Sequence, residues 1–226
     1  MYVSELWRYP VKSLKGEPLE EVEIGADGLA GDRLVHVRSG GGRVITSRTK
    51  PRLLSLHGSL GPDGQPLIDG HAWHAAESRA AVRAAAGEDA ELVAYDKLDR
   101  FDVLPLSVAT DGAIAAVGVD RRRFRPNIVI GGVEGLAERS WPGLQLRIGE
   151  ALVAVARLRP RCVMTTYDPD TQEQDHSVLR RIVSEFGGAV ALDCAVVTPG
   201  RIRVGDRVEL LRSAAAQPSR RDARHN

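Results

Sequence analysis

Short runs in which hydrophobic and polar residues alternate recur along most of the chain, and a period of two predicts half-buried β-strands. Clusters of Gly, Pro, Asp and Ser separate the runs, as expected for turns. One pair of runs flanks the loop Ser-Gly-Gly-Gly at 39–42, which predicts a β-hairpin. The predicted strand regions are 3–9, 19–24, 34–38, 43–47, 53–60, 91–95, 127–130, 144–148, 151–158, 189–197 and 202–211, the last with two short strands.

Helical patterns are fewer and occur at 77–86, 113–117 and 176–186. The last of these has an apolar stripe at helical spacing, with Asp175 as a candidate N-cap and Gly187 at its end. Because strands outnumber helices, the sequence predicts an α+β protein that is mainly β, a barrel with helical decoration. A domain boundary is predicted near 90–97, and the small, polar and basic residues 213–226 predict a disordered tail.

Composition narrows the function classes. The 226 residues include 31 basic and 30 acidic side chains, a formal net charge of +1. This balance gives no global field that favours nucleic acid or a membrane surface. No apolar run approaches the roughly 20 residues that cross a bilayer, and the first residues lack the pattern of a signal peptide. We therefore expect a soluble, cytoplasmic protein that binds neither nucleic acid nor a membrane.

The two cysteines have different surroundings, and their number excludes both a disulfide scaffold and a metal site held by four cysteines of this chain. Cys162 lies on a predicted loop, close after Arg159 and Arg161, whose charges favour the thiolate form that attacks or binds metal. A small residue that fills a loop core is an equally good interpretation of Cys162. Cys194 lies in an apolar strand without a neighbouring cation, which predicts a packing role.

Other loops carry side chains that bind anions or transfer protons. Lys12 and Ser13 follow the first strand and Arg33 follows a glycine turn, so each is a candidate phosphate contact or simply a solvated loop residue. Asp168 begins Asp-Pro-Asp-Thr, which indicates either a turn or a functional carboxylate near the thiol. The basic run 121–125 indicates a nucleic-acid stripe or an anion site. The six histidines form no metal-ligand pattern, and no P-loop or dinucleotide fingerprint is present.

Taken together, these segments resemble the MOSC family, named for the molybdenum cofactor sulfurase C-terminal domain, over residues 1–211. The resemblance implies an N-terminal β-barrel-like module at 1–92 and a MOSC-type β-barrel domain at 93–212, followed by the tail at 213–226. The motifs that resemble the N-terminal module are at 9–16, 31–33 and 45–52, and those that resemble the MOSC domain are at 123–130, 161–171 and 199–206.

The nearest branch of this family contains the mitochondrial amidoxime-reducing component and its bacterial relatives. The resemblance therefore implies an oxidoreductase that reduces N-hydroxylated compounds with a molybdenum–molybdopterin cofactor. Cys162 occupies the position of the molybdenum-binding, catalytic cysteine, and Asp168 is the nearest candidate for a proton carrier or substrate contact. Pro160 and Gln172 depart from the family pattern, which often has a small polar residue at the first position and usually has glycine at the second. The positions that match cofactor-binding residues are Lys12, Ser13, Arg33, Arg125, Asn127 and Arg161.

The motifs that the sequence lacks bear on its redox partner, and several alternative functions stay open. Electrons must come from a separate electron-transfer protein, because the chain has no flavin motif, no dinucleotide motif and no cysteine after Cys194. A molybdenum-cofactor carrier, or a protein that relays sulfur on a cysteine persulfide, is the alternative function within the family. Pyridoxal phosphate is often associated with the family, but no lysine context supports it here. A nucleic-acid-binding barrel that uses 121–125 is the alternative from another class.

Overall fold

The computed structural model describes residues 1–95 and 101–212. Within these ranges the chain is mainly β with three α-helices, as the sequence pattern predicts. The helices are α1 (Ala76–Ala86), α2 (Asp111–Val117) and α3 (His176–Phe186). The strands are β1 (Tyr2–Arg8), β2 (Glu17–Leu19), β3 (Glu21–Gly25), β4 (Gly28–Leu29), β5 (Val35–Arg38), β6 (Val44–Ile45), β7 (Gly58–Leu60), β8 (Pro66–Ile68), β9 (His71–Ala72), β10 (Glu91–Ala94), β11 (Leu106–Thr110), β12 (Ile128–Gly131), β13 (Leu144–Ile148), β14 (Ala151–Pro160), β15 (Ala189–Thr198), β16 (Gly200–Arg203) and β17 (Val208–Arg212).

Eight strands form one sheet that closes on itself. Its order is β17-β13-β14-β15-β11-β12-β1-β2, and β11 with β12 is its parallel pair. Val3 N donates a hydrogen bond to Asp206 O (2.9 Å), and Val208 N donates one to Met1 O (3.0 Å). These bonds join β1 to the segment that leads into β17, so the sheet becomes a barrel. Its core includes Leu6, Val108, Ile130, Leu146 and Leu192.

Three small sheets lie beside the barrel, in the orders β10-β5-β6, β7-β8-β9 and β16-β3-β4. The first two and α1 enclose a separate core around Val11, Leu14, Val35, Leu53 and Val82. β1 belongs to the barrel sheet although it precedes all of these elements, so the N-terminal part of the chain contributes to both cores.

Helices α2 and α3 pack together in a third core with Phe124. Each has a side-chain N-cap: Thr110 Oγ1 accepts from Ala113 N (3.1 Å), and Asp175 Oδ1 accepts from Ser177 N (2.8 Å). Each ends at a left-handed glycine. None of the helices in 1–95 and 101–212 combines the length and the apolar character that a bilayer crossing requires.

The structure corrects two strand predictions. The segment predicted as one strand at 53–60 is a 3₁₀ helix (Pro51–Ser55) followed by β7. Pro51 at the start of that helix favours helical backbone angles. Leu53 and Leu54 are adjacent and both buried, which fits a helical turn and not the alternating pattern of a strand. The predicted strand 19–24 is divided between β2 and β3. The predicted tail, 213–226, lies outside the described residues.

Candidate functional site

One cavity collects loops that are distant in sequence. They come from the end of β1, the turn before β5, the segment after β6, the loop before β12 and the end of β14. The cavity is lined by Lys12, Ser13, Arg33, Thr46, Ser47, Arg48, Asp102, Val103, Arg123, Phe124, Arg125, Arg159, Pro160, Arg161, Cys162 and Met164. The structure thus brings together six of the eight site residues that the sequence singled out, and it excludes Asn127 and Asp168 from this lining.

Cys162 stands where β14 ends and a 3₁₀ helix (Val163–Thr166) begins, and it is exposed. Its carbonyl accepts hydrogen bonds from Thr165 N (3.1 Å) and Thr165 Oγ1 (2.9 Å), which hold the turn that presents the thiol. Arg48 lies close by. Burial alone would lower the pKa of Arg48, but the Asp102 carboxylate and the Cys162 sulfur raise it. The thiol therefore lies within the field of a cation that local sequence did not reveal.

Lys12, Ser13 and Arg33 form one corner of the cavity. Lys12 pairs with Asp102 at 2.7 Å, and Arg33 pairs with the buried Asp32. Asp32 also accepts a hydrogen bond from Tyr9 N (2.7 Å), so it ties the turn that carries Arg33 to the end of β1. Two cations and a hydroxyl at one corner are the groups that bind a phosphate.

Arg125 reaches the cavity from the loop before β12. Its guanidinium lies over the ring of Tyr9, 4.2 Å from the centroid, and burial lowers its pKa. In the described part of the chain no carboxylate pairs with it. Arg125, Ser13 and Arg33 all have positive φ angles (52°, 77° and 51°). A non-glycine residue in this region is strained, and such strain concentrates at binding sites.

Arg161 is a second half-buried cation that has no carboxylate partner in the described part of the chain. Its Nη2 donates to Phe124 O (2.8 Å), and its guanidinium lies 5.2 Å from the Phe124 ring centroid. Its Nε and Nη1 are buried and have no hydrogen-bond partner among the described residues. Burial, followed by repulsion from Arg159, lowers the pKa of Arg161 to about 9. Buried donors without partners are costly, so this arrangement suits the binding of an anion.

Positive charge predominates in the lining of the cavity. Seven of its residues are Lys or Arg, and Asp102 is its one carboxylate among the described residues. Two of these cations, Arg125 and Arg161, have no acidic partner within 1–95 and 101–212. No group of three or more His, Cys, Asp and Glu side chains in those ranges is placed to hold a metal ion. The excess of cations in the lining suits a large anion.

Asn127 and Asp168 have structural contacts instead. The Asn127 amide accepts from Ser107 N (3.1 Å) and donates to Trp7 O (3.3 Å), and it is buried between strands. Asp168 accepts from Thr171 N (3.0 Å) and Asp170 N (2.9 Å), an Asx turn.

The same backbone bonds, and then the charge of Arg123 at 3.0 Å, lower the pKa of Asp168. A carboxyl held in its ionised form anchors the loop that follows Cys162 and is poorly suited to donate protons.

Sequence reasoning missed several lining residues. Arg123 bridges the cavity to the loop of Asp168. Arg159 faces the cavity because it pairs with Asp193, which is buried in β15. Arg159 stands close to Cys162 in the sequence, but its carboxylate partner, Asp193, lies more than 30 residues further along the chain. Lone acidic residues in apolar strands, such as Asp193, are the pattern that marks such pairs.

A second cavity adjoins the first, and we call it the apolar recess. The two share Arg123, Arg125 and Met164 as a common wall. The recess lies between the loop that follows Cys162 and the N-terminal strands. It is lined by Trp7, Tyr9, Lys15, Gly16, Pro18, Leu54, His57, Arg122, Arg123, Arg125, Met164, Tyr167 and Pro169.

The basic run 121–125 does not form a free stripe. Arg121 pairs with Glu5 at 2.5 Å, Arg122 pairs with Asp120 and Asp170, and Arg125 is half-buried against the ring of Tyr9. The arginines of the run are therefore engaged by protein groups, which weighs against a nucleic-acid surface here.

Cys194, the other cysteine, is buried in the barrel core. Its burial, followed by the charge of Asp193, raises the pKa of its thiol. The packing role predicted for this residue agrees with its position.

The chain belongs to the MOSC family. The family model described as MOSC domain matches residues 95–209, and that described as MOSC N-terminal beta barrel domain matches residues 1–99. The crystal structure of the YuaD protein from Bacillus subtilis superposes with a TM-score of 0.52 over 94% of this chain and 96% of that one. At 13% identity this likeness concerns the fold alone.

Among curated proteins, the chain is similar to amidoxime-reducing components. It is 27% identical to human mitochondrial amidoxime-reducing component 1, across 92% of this chain and 82% of that protein. It is also 27% identical to mitochondrial amidoxime reducing component 2 of Macaca fascicularis, across 75% of this chain and 67% of that protein. The names of these relatives describe the reduction of amidoximes.

Proposed function

We propose that this protein is a molybdenum–molybdopterin oxidoreductase that reduces N-hydroxylated compounds with electrons from a separate donor protein. The observation that carries the proposal is that one cavity holds both the exposed thiol of Cys162 and the guanidinium of Arg161, whose buried Nε and Nη1 have no hydrogen-bond partner among the described residues. The names of the similar curated proteins support the reaction class. Reduction converts N–OH to N–H and water and consumes two electrons and two protons.

The residues of the cavity fit this cofactor. Cys162 would bind the metal, because molybdenum in a dithiolene environment accepts a soft thiolate. Lys12, Ser13 and Arg33 would hold the phosphate, and Arg125 and Arg161 would neutralise the remaining negative charge. Asn127 would act by holding the loop of Arg125 in place. When bound, the cofactor supplies the two-electron chemistry, and the protein supplies orientation and charge.

An acidic electron-transfer protein fits the surface beside the cavity. The segment 38–52 contains five Arg or Lys residues and no Asp or Glu. Its Arg38, Arg43, Lys50 and Arg52 are exposed, and its Thr46, Ser47 and Arg48 line the cavity. A basic rim of this kind attracts an acidic protein and keeps it close to the redox centre.

A cofactor carrier or sulfur-relay protein is the second candidate function. The observation in its favour is that Cys162 is exposed, so a partner protein has direct access to the thiol. In a relay, the thiol would carry a persulfide rather than a metal.

The test begins with the chain purified from a host that makes the cofactor. Molybdenum and pterin content are measured for the wild type, for Cys162→Ser and for Cys194→Ser as the matched control. We expect bound molybdenum and viologen-driven reduction of an N-hydroxylated substrate in the wild type and in Cys194→Ser, and loss of the reduction in Cys162→Ser. Bound cofactor without any reduction by a viologen would favour the carrier function. A persulfide on Cys162 in mass spectrometry would favour the sulfur relay, and absence of molybdenum and pterin would refute the proposal.

A further inference from the structure

The apolar recess has no assigned role, although it shares a wall with the cavity of Cys162. The loop that carries Cys162 continues along both cavities: Met164 lines both of them, and Tyr167 and Pro169 line the recess. A molecule in the recess therefore lies next to the thiol-bearing cavity and is separated from it by Met164, Arg123 and Arg125.

We propose that the recess binds the flat, uncharged body of the substrate and rejects the same body once it carries a positive charge. This inference rests on the proposed function, because it identifies the ligand as the non-reacting part of an N-hydroxylated compound. Trp7, Tyr9, Leu54, Met164 and Tyr167 supply large apolar surfaces, which favour an aromatic or heteroaromatic ring.

Aromatic surfaces can also attract cations, but here arginines already occupy the ring faces. Arg125 lies 4.2 Å from the centroid of Tyr9, and Arg33 lies 5.7 Å from the same centroid. Arg121 lies 5.8 Å from the centroid of Trp7. A ligand cation would have to compete with these guanidinium groups for the rings.

The charged residues that line the recess also disfavour a cationic ligand. Among the described residues, no carboxylate lines the recess, whereas four Lys or Arg residues do. Lys15, Arg122 and Arg123 pair with carboxylates outside it, at 3.5, 2.7 and 3.0 Å. Arg125 has no such partner in the described ranges, so its charge is not balanced. A cationic ligand would lose its water, meet this charge and find no counter-ion.

This selectivity suits the chemistry of reduction. An amidoxime is neutral at pH 7, whereas the amidine formed from it is strongly basic and takes up a proton. The substrate and its product therefore have nearly the same shape but differ by one positive charge. A recess that accepts the first and rejects the second favours release of product over its rebinding.

The experiment compares two probes of one shape, neutral benzamide and cationic benzamidinium. The chain has two methionines, Met1 and Met164, so labelling with ¹³C-methyl methionine gives one signal at the wall of the recess and one distant control. We expect benzamide to shift the Met164 signal saturably and to leave Met1 unchanged. Benzamidinium should bind at least roughly ten-fold more weakly. Met164→Leu assigns the signal.

A pair of variants at His57 tests the electrostatic argument. Its side chain is exposed at the recess, so substitution there should leave the fold intact. His57→Glu adds a carboxylate and should reduce the preference for benzamide to about three-fold or less, whereas His57→Gln should retain the wild-type preference. Equal or tighter binding of benzamidinium by the wild type, or no shift of Met164 with either probe, would overturn the inference. Neither readout depends on molybdenum, so failure of the proposed function would be seen separately, as absence of metal.

Discussion

The guanidinium of Arg125 and the ring of Tyr9 stack at 4.2 Å, and this pair stands between the two cavities. Arg125 lines both cavities, and Tyr9 lines the recess alone. The backbone of Arg125 is in the left-handed region, with φ at 52°, which is unfavourable for a residue other than glycine. The stack with Tyr9 helps to hold Arg125 in this conformation.

Arg125→Lys should lower the molybdenum content of the protein strongly without unfolding it. Lysine keeps the charge but lacks the planar group that stacks and binds an anion through two donors. Tyr9→Phe is the control, because it keeps the ring and loses only the hydrogen bond to Pro126 O (3.2 Å), which costs about 1 kcal/mol. Metal analysis and denaturant unfolding check both variants. Full molybdenum content in Arg125→Lys would contradict the role given to the stack.

Arg161→Met should stabilise the cofactor-free chain at pH 7 by about 1–3 kcal/mol, because it removes buried donors that have no partner. The pKa of Arg161 in the folded chain, about 9, lies below its unfolded value. The unfolded chain therefore binds more protons above pH 9, and the stability contributed by Arg161 increases as the pH rises past that value.

The advantage of Arg161→Met over the wild type should accordingly shrink above pH 9. Urea unfolding of the two cofactor-free chains at pH 7 and at pH 10 measures this difference. The same variant should lose bound cofactor. A gap between the two chains that is unchanged at pH 10 would show that the charge of Arg161 is not the source of the cost.

Cys194→Ser should destabilise the fold, and Cys162→Ser should not. Cys194 is fully buried in the barrel, so a serine hydroxyl there loses water without gaining a partner, at a cost of about 1–3 kcal/mol. Cys162 is exposed, and its replacement removes little packing. Unfolding midpoints of the cofactor-free variants decide the matter, and a reversed order would refute the assignment of one cysteine to the core and the other to the site.

Gln172→Gly should be more stable than Gln172→Ala by about 1–2 kcal/mol, because φ at position 172 is +60° and a Cβ is unfavourable there. Both variants lose the same hydrogen bond from Nε2 to Asp170 O (2.7 Å), so their difference isolates the backbone effect. Thermal unfolding measures it. Equal stability of the two variants would mean that the loop relaxes to another conformation.

Charge reversal on the basic segment should separate electron delivery from catalysis. Arg43→Glu with Arg52→Glu should slow turnover supported by an acidic donor protein by about ten-fold at low salt, and should leave viologen-driven turnover unchanged. Arg207→Glu, an exposed arginine before β17, is the matched control. If the double reversal slowed both kinds of turnover equally, the segment would act on the site itself and not on docking.

Local signals predicted the three helices and most of the strands, but not β4, β8, β9 or β11, and long-range contacts limited the rest. Asp175 caps the start of α3 and Gly187 ends it. Both residues are adjacent to the helix in sequence, so its limits were predictable. Closure of the barrel depends on hydrogen bonds between Val3 and Asp206, and no local pattern reports such a pair.

The site was predictable to the extent that its residues resemble a family motif. Lys12, Arg33 and Cys162 were predicted in this way, and they line one cavity in the structure. Asp193 was missed because its role depends on the ion pair with Arg159, which the local sequence does not reveal. The apolar recess was missed because residues from several separate segments line it, and their shared empty volume exists only in three dimensions.

Closure of the barrel by β1 also bears on how the chain folds. β1 hydrogen-bonds with residues 206–208, so its pairing cannot be completed until nearly the whole described chain is available. Non-local pairing of this kind slows folding, and strand edges stay open in the meantime. Residues 206–208 therefore set the time at which the barrel closes, although they take no part in the site.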